Sequence, residues 1–230
     1  MKNKKKVLFL GRNNDDYTYK ILKILKKNFF YVESIFSKKH YQKLPKKILN
    51  KKFDFVLSFR NYIILPKRFL KLNKLSINIH PGPPNYRGIG CLNYAIYNDE
   101  KYYGITCHFI DEKVDAGEII IYKKFKMPKK NNVSKLLNKT TRESFRVTKY
   151  LIKLINKENY EYDLLELVNK NSTIKWSNKI YKKKDLENLY KIKKNYDKKK
   201  INLIIKSTLY KNYKPYILNN GVKKYFTKII

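Results

Sequence analysis

The stretch Ser76–Ile121 reads SINIHPGPPNYRGIGCLNYAIYNDEKYYGITCHFIDEKVDAGEIII and differs in composition from the rest of the chain. It holds five of the seven glycines, three of the seven prolines, both cysteines and two of the three histidines. The remainder is dominated by Lys, Asn, Ile, Leu and Tyr. Because the residue types with special chemistry are concentrated in this stretch, it is the candidate functional region.

The segment Leu75–His80 alternates in polarity and is apolar enough to be a β-strand that ends before Pro81. Asn78 and His80 are two residues apart, so both side chains point to the same face of that strand. The proline-rich turn that follows leaves them at the carboxyl end of the strand. Open α/β sheets bind their ligands at this end.

Two more strands, Tyr103–Phe109 and Glu118–Tyr122, are predicted on either side of an acidic loop that contains Asp115. If the loop folds back over the strand end, an amide, an imidazole and a carboxylate meet. Such a trio suits acyl transfer to an amine, with His80 as the base and Asn78 as the donor to the oxyanion. Asp115 would orient the imidazole or order a water. Taken singly, the same residues also fit turn and loop capping.

Three motifs resemble the core of the formyltransferase family, which uses N10-formyltetrahydrofolate as formyl donor. They are Asn78–Gly88 (NIHPGPPNYRG), Gly104–His108 (GITCH) and Asp115–Ile120 (DAGEII). The similarity extends back to Phe55–Pro66 (FVLSFRNYIILP) and covers residues 5–150. The form His-Pro-Gly-Pro-Pro is most similar to the sugar-nucleotide branch of the family.

The resemblance implies an N-formyltransferase that moves the formyl group to the amine of an amino-sugar nucleotide, such as a dTDP- or GDP-linked 4-amino-4,6-dideoxy sugar. Asn78, His80 and Asp115 match the catalytic Asn, His and Asp of the family. His108 is interpreted as a structural or pocket-lining histidine and not as the base. The candidate folate-binding residues are Phe59, Tyr62, Ile64, Asp111 and Asp115.

The acceptor is expected to contact Gly11 and Arg12 after the first strand and Arg87 in the proline-rich loop. Arg87 fits either a phosphate of the acceptor or a surface carboxylate. The alternatives are a methionyl-tRNA formyltransferase, then a phosphoribosylglycinamide formyltransferase, and last a non-enzymatic nucleic-acid-binding protein on this fold. The intact trio argues against the last of these.

The order of elements predicts an α/β fold with a mostly parallel, doubly wound, Rossmann-like sheet and helices on both faces. No G-x-G-x-x-G follows the first strand, so no NAD site is predicted. We predict a catalytic domain over residues 1–170 and a C-terminal extension over 171–230. The extension is expected to form helices and a β-hairpin that turns at Asn220-Gly221. Its aromatic residues suit either a homodimer contact or stacking on a nucleotide base.

The net charge of +36 comes mainly from Lys that is spread along the whole chain. This pattern is typical of a solvated coat, although it would attract the phosphates of a sugar nucleotide or of RNA. Partners are therefore expected to be the folate and the nucleotide-linked amino sugar, with nucleic acid only under the tRNA alternative. No apolar run suits a membrane span or signal peptide, and two isolated cysteines suit a reducing compartment, so a cytoplasmic protein is predicted. No Cys/His cluster has metal-ligand spacing, and no metal is expected.

Overall fold

The structure is a computed structural model that describes residues 3–230. In chain order, its strands are β1 (Asn3–Arg12), β2 (Phe29–Ser37), β3 (Phe55–Phe59), β4 (Ser76–His80), β5 (Arg87–Gly88), β6 (Tyr102–Phe109), β7 (Ile119–Lys126), β8 (Ile180–Tyr181), β9 (Lys191–Ile192), β10 (Tyr216–Asn219) and β11 (Val222–Tyr225). Its helices are α1 (Asp16–Asn28), α2 (Lys67–Leu72), α3 (Cys91–Tyr97), α4 (Val133–Ile155), α5 (Tyr160–Lys170), α6 (Lys183–Tyr190) and α7 (Lys198–Thr208).

The main sheet has six strands in the order β2-β1-β3-β4-β6-β7. Strand β1 pairs in parallel with β2 and β3, and β3 pairs in parallel with β4. Strand β6 runs antiparallel to β4. The prediction of a mostly parallel, doubly wound α/β sheet is confirmed, and the antiparallel β6 is the exception within it.

Strand β3 and the second half of β1 are buried, which explains their continuous apolar sequences. Val7–Leu10 of β1 have no exposed surface, and every residue of β3 is buried. A strand covered on both faces needs apolar side chains at successive positions, not at alternate ones. One side of this core joins Leu8, Leu10 and Val56 to Phe69 of α2.

The chain after α4 agrees with the sequence in part. The sequence predicts a helix end and a short strand within Glu166–Trp176; helix α5 does end there, at Lys170, but no strand lies within 171–176. Helix α5 has one buried residue, Leu164, although Leu167 and Val168 follow it at helical spacing. None of the helices described between residues 3 and 230 is long and apolar enough to cross a membrane.

The chain divides into two compact units, and each is assembled from separate segments. Unit 1 comprises the residues up to Pro81, with Ile105–Lys123 and Thr141–Lys175. Unit 2 comprises Gly82–Gly104, Lys124–Thr140 and Trp176–Ile230. The functional division into a catalytic domain over 1–170 and an extension over 171–230 stays a prediction.

Unit 2 contains the predicted C-terminal hairpin. Strands β10 and β11 pair antiparallel, with Asn219 opposite Val222. The two turn residues between them, Asn220 and Gly221, both have positive φ angles, 46° and 81°. This is the geometry that an Asn-Gly pair favours in a two-residue hairpin loop, so the hairpin prediction is confirmed. Strand β10 also pairs in parallel with β9, which the sequence did not indicate.

Candidate active site

His80 and Asp115 form a buried pair in unit 1. His80 ends β4 with 3% of its surface exposed, and its Nδ1 lies 3.3 Å from Oδ2 of Asp115. Asp115 is 9% exposed. When the Nδ1 proton is donated to the carboxylate, Nε2 is the basic nitrogen of the neutral ring. The carboxylate then stabilises the imidazolium that forms once Nε2 accepts a proton.

Gly117 explains how Asp115 reaches His80. A Cβ atom at Gly117 would lie 2.0 Å from the carbonyl oxygen of Phe109, so only glycine permits this approach. The Phe109 amide also donates to the carbonyl of Glu118 at 3.0 Å. The loop after β6 therefore closes back on the end of that strand and carries Asp115 with it.

Asn78 contacts His108, a residue that the sequence predicts to be structural or pocket-lining and not the base. The two residues are paired across β4 and β6, and Nδ2 of Asn78 lies 3.2 Å from Nε2 of His108. His108 Nδ1 lies 2.7 Å from the carbonyl of Phe109, which only accepts, so Nδ1 carries a proton. The neutral ring then accepts from Asn78 at Nε2. The amide has a second N–H, which is suited to a developing oxyanion.

A second set of polar residues fixes the orientation of the Asn78 amide. The hydroxyl of Ser58 donates to Oδ1 of Asn78 at 2.7 Å. Nδ2 of Asn61 donates in turn to the Ser58 oxygen at 2.6 Å. Because Oδ1 accepts from Ser58, the amide nitrogen must face His108. Ser58 lies opposite Asn78 on β3, and the sequence analysis missed both Ser58 and Asn61.

Asp115 lies between two imidazoles. Its Oδ1 is 3.6 Å from Nε2 of His108, while its other oxygen contacts His80. His108 is 2% exposed. The structure thus brings the predicted amide, imidazole and carboxylate into one cluster and adds His108 to it; Asn78 is half-buried and the other three residues are buried. The antiparallel register of β4 and β6 places His108 there, and no local pattern in the sequence indicates that register.

The candidate folate-binding residues differ in their accessibility. Phe59 has no exposed surface within β3, whereas Ile64 is 52% exposed. Asp111 is exposed, and its carboxylate accepts from the amide of Glu112 at 2.6 Å. The accessible apolar surface after β3 therefore comes from Ile64 and not from Phe59. Folate binding by these residues stays a prediction.

Tyr62 is engaged by two other side chains. The guanidinium carbon of Arg12 lies 4.3 Å from the centre of the Tyr62 ring, and Arg12 Nε donates to the carbonyl of Arg60 at 3.1 Å. The ring of His40 lies 3.9 Å from Tyr62, centre to centre. His40 is exposed and lies outside any helix. A predicted acceptor residue and a predicted folate residue are thus in contact.

The loop between β1 and α1 presents carboxylates at the start of the helix. Asp15 caps α1 by accepting from the amide of Thr18, and Oδ2 of Asp15 lies 3.1 Å from Nε of Arg60. Gly11 packs so closely on this helix that a Cβ atom would lie 2.3 Å from a methyl carbon of Thr18. Since Asp15 and Asp16 occupy the positive end of the helix dipole, this helix end does not attract phosphate. Arg12 is the cationic side chain of this loop, and its role toward the acceptor stays a prediction.

The last predicted acceptor residue, Arg87, belongs to unit 2. It is 8% exposed, and its Nη1 donates to the carbonyl of Ser177 at 2.8 Å. This contact gives Arg87 a structural partner in the C-terminal extension, and its role toward substrate stays a prediction. Among residues 3–230, no group of three His, Cys, Asp or Glu side chains is arranged to hold a metal ion.

Both the sequence and the fold of this chain are similar to those of known proteins. A protein-family model described as "Formyl transferase" matches residues 3–150. The chain belongs to this family. A methionyl-tRNA formyltransferase from Flavobacterium psychrophilum is 37% identical over 98 residues, which are 42% of this chain and 30% of that protein. A GDP-perosamine N-formyltransferase from Brucella melitensis biotype 1 is 31% identical over 104 residues, which are 44% of this chain and 40% of that protein. The chain thus matches well under half the length of these curated relatives.

Solved structures are similar over nearly the whole chain. A sugar N-formyltransferase from Shewanella sp. superposes with a TM-score of 0.70 at 17% identity, covering 97% of both chains. An N-formyltransferase from Helicobacter canadensis, in complex with folinic acid and dTDP-3-aminofucose, superposes with a TM-score of 0.68 at 19% identity. That match covers 95% of this chain and 85% of the other. At such identities these likenesses establish the fold, including that of the C-terminal extension.

Proposed function

We propose that this chain is an N-formyltransferase that moves a formyl group from N10-formyltetrahydrofolate to the amine of an amino-sugar nucleotide. The observation that carries the proposal is the cluster of Asn78, His80 and Asp115, with Nδ1 of the buried His80 3.3 Å from the carboxylate. Family membership supports formyl transfer by this cluster. The cluster needs no covalent nucleophile.

The proposed reaction assigns one role to each side chain. The acceptor amine attacks the formyl carbon, and the formyl oxygen takes up negative charge that the second amide N–H of Asn78 stabilises. His80 accepts the proton that the amine loses, and Asp115 stabilises the resulting imidazolium. The bond between the formyl carbon and N10 then breaks, and N10 takes the proton held by His80 and leaves as tetrahydrofolate, which returns the imidazole to its neutral form. Holding the two substrates in contact would contribute much of the rate, through orientation.

A sugar nucleotide is the proposed acceptor because of two independent likenesses. The His-Pro-Gly-Pro-Pro sequence that starts at His80 resembles the sugar-nucleotide branch, and a solved structure from Shewanella sp. that is similar over 97% of this chain is named as a sugar N-formyltransferase. The N-formyltransferase from Helicobacter canadensis, similar over 95% of this chain, is described in complex with folinic acid and dTDP-3-aminofucose. Arg12 supplies a cation for the phosphates of such an acceptor, beside the stacked ring of Tyr62.

The test is the release of tetrahydrofolate from N10-formyltetrahydrofolate with a panel of acceptors. The panel contains dTDP-, UDP- and GDP-linked amino sugars, glycinamide ribonucleotide and charged initiator tRNA. We expect turnover with an amino-sugar nucleotide, reduced about 10²–10⁴-fold in His80→Ala and about 10²–10³-fold in Asn78→Ala. Asn188→Ala, an exposed position on α6, is the matched control and should keep full turnover. Full turnover by His80→Ala would show that His80 is not the base.

Methionyl-tRNA formylation is the second candidate. It is favoured by the match to a methionyl-tRNA formyltransferase at 37% identity and by the net charge of +36. A tRNA acceptor predicts an affinity that falls steeply as salt concentration rises, because lysines release counterions from the phosphates. Turnover with tRNA alone, with that salt dependence, would select this candidate over the sugar nucleotide.

A further inference from the structure

The segment that follows the catalytic histidine has an unusual backbone. We call Gly82–Gly90 the acceptor loop, because it starts two residues after His80 and carries the candidate acceptor residue Arg87. Prolines in the loop lack an amide N–H to donate. Gly88 and Gly90 have φ angles of 87° and 83°, in the left-handed region. The prolines restrict the first half of the loop, whereas the glycines leave the second half free to adopt other conformations, so that half must be fixed by contacts made elsewhere.

Those contacts come from Ser177–Tyr181, a segment we call the strap. The amide of Ser177 donates to the carbonyl of Pro84 at 3.0 Å, and its carbonyl accepts from Arg87 at 2.8 Å. At the other end of the strap, the carbonyl of Tyr181 accepts from the amide of Ile89 at 2.8 Å. Between these points β5 pairs in parallel with β8. The strap therefore follows the acceptor loop from Pro84 to Ile89.

Gly88 shows how closely the two segments approach. A Cβ atom at Gly88 would lie 2.3 Å from the carbonyl oxygen of Tyr181 and 3.2 Å from a methyl carbon of Ile180. The first of these atoms belongs to the backbone, so it cannot rotate away as the end of a side chain could. Glycine is needed here for the positive φ angle and for the contact with the strap.

Tyr181 also anchors the strap by its ring. It is 8% exposed, and its ring centre lies 3.9 Å from that of Tyr94 and 5.9 Å from that of Tyr86. Tyr86 belongs to the acceptor loop, and its hydroxyl donates to Oε1 of Glu100 at 2.6 Å. Burial raises the pKa of Tyr86 well above its usual range, so the hydroxyl keeps its proton. Loop and strap thus share one buried aromatic cluster within unit 2.

We propose that the strap is a positioning element that fixes the acceptor loop and thereby determines the affinity and selectivity for the acceptor. The inference rests on the proposed function, because the acceptor is the substrate assigned to this loop. The family match ends at residue 150, so the strap lies outside the part of the chain that defines the family. Acceptor selection would then depend on the C-terminal extension, while the donor contacts are predicted on the loops after β3 and β6.

The kinetic test compares two glycine substitutions. Gly88→Ala places a methyl group against the strap, whereas Gly221→Ala, with a φ angle of 81°, meets nothing within 4 Å. Both substitutions strain a left-handed position, so they differ mainly in the contact with the strap. We expect Gly88→Ala to raise the KM for the acceptor about tenfold or more, with the KM for the folate donor changed less than about twofold. Gly221→Ala should leave both values unchanged.

Equal rises in both KM values would overturn the proposal, because a merely structural defect does not distinguish the substrates. No rise in either KM would overturn it as well, because the contact between loop and strap would then have no effect on the acceptor. If the wild-type protein turns over none of the acceptors, the proposed function fails. Hydrogen exchange then tests separately whether the strap holds the acceptor loop. In the wild type, the amides of Ser177 and Ile89 should both be protected, and Gly88→Ala should accelerate exchange at Ser177 about tenfold or more. Unprotected amides in the wild type would show that the strap does not hold the loop. That measurement remains decisive if Gly88→Ala does not fold.

Discussion

Asp115→Asn tests the charge at the centre of the candidate site. Asparagine keeps the size of the side chain but removes the negative charge that faces the imidazolium of His80. At a separation of 3.3 Å, two opposite charges in a medium of effective dielectric constant about 20 attract by about 5 kcal/mol. Because the imidazolium exists only after proton transfer, this attraction acts in the transition state and should appear in kcat. We therefore expect kcat to fall by about 10³–10⁴.

The assay is the steady-state release of tetrahydrofolate with the acceptor that the panel identifies. Glu112→Gln is the control, since Glu112 lies three residues earlier in the same loop, and its side chain is 49% exposed in an ion pair with Lys67. An exposed pair of this kind contributes little, so the control should keep its activity within about twofold. A kcat in Asp115→Asn above about one tenth of the wild-type value would refute the electrostatic argument.

Three further outcomes are expected. Gly117→Ala should lower kcat about 10²-fold, because its methyl group would displace the carbonyl of Phe109 and shift the loop that carries Asp115; unchanged turnover would show that the loop has another anchor. Tyr86→Phe should lower the free energy of unfolding in urea by about 1–3 kcal/mol, since the half-buried Glu100 carboxylate loses its donor; an unchanged midpoint would contradict this. Burial raises the pKa of the Cys107 thiol, so this group should resist a thiol reagent at pH 8 in the native protein and react in urea.

The sheet and part of the site follow from local patterns in the sequence. A buried strand that ends at a proline-rich turn places Asn78 and His80 on one face, and the fold has this arrangement. The contact of His80 with Asp115 depends on a loop that folds back on the end of its own strand. Gly117 is the residue in the sequence that could have indicated the close approach of this loop to Phe109. These features involve residues near each other in the chain, where turn residues and the alternation of polar and apolar side chains predict the local structure.

The remaining features depend on pairings between distant segments. His108 enters the cluster only because β6 runs antiparallel to β4, and Ser58 enters because β3 lies beside β4 in the required register. The two-residue strands β5 and β8 have no periodicity that a sequence pattern could detect. Register is determined by packing of the whole sheet, so residues that act through it are found only when the fold is known.

The pairing of the acceptor loop with the strap has a consequence for synthesis. Arg87 and Ser177, which are bonded in the finished protein, are separated by 90 positions in the chain. At about 5–20 residues per second, a ribosome needs between about 5 and 20 seconds to pass from one to the other. During that interval the acceptor loop has been synthesised, but the strap that fixes its shape has not. The acceptor loop would therefore reach its final shape only after Ser177 has been synthesised.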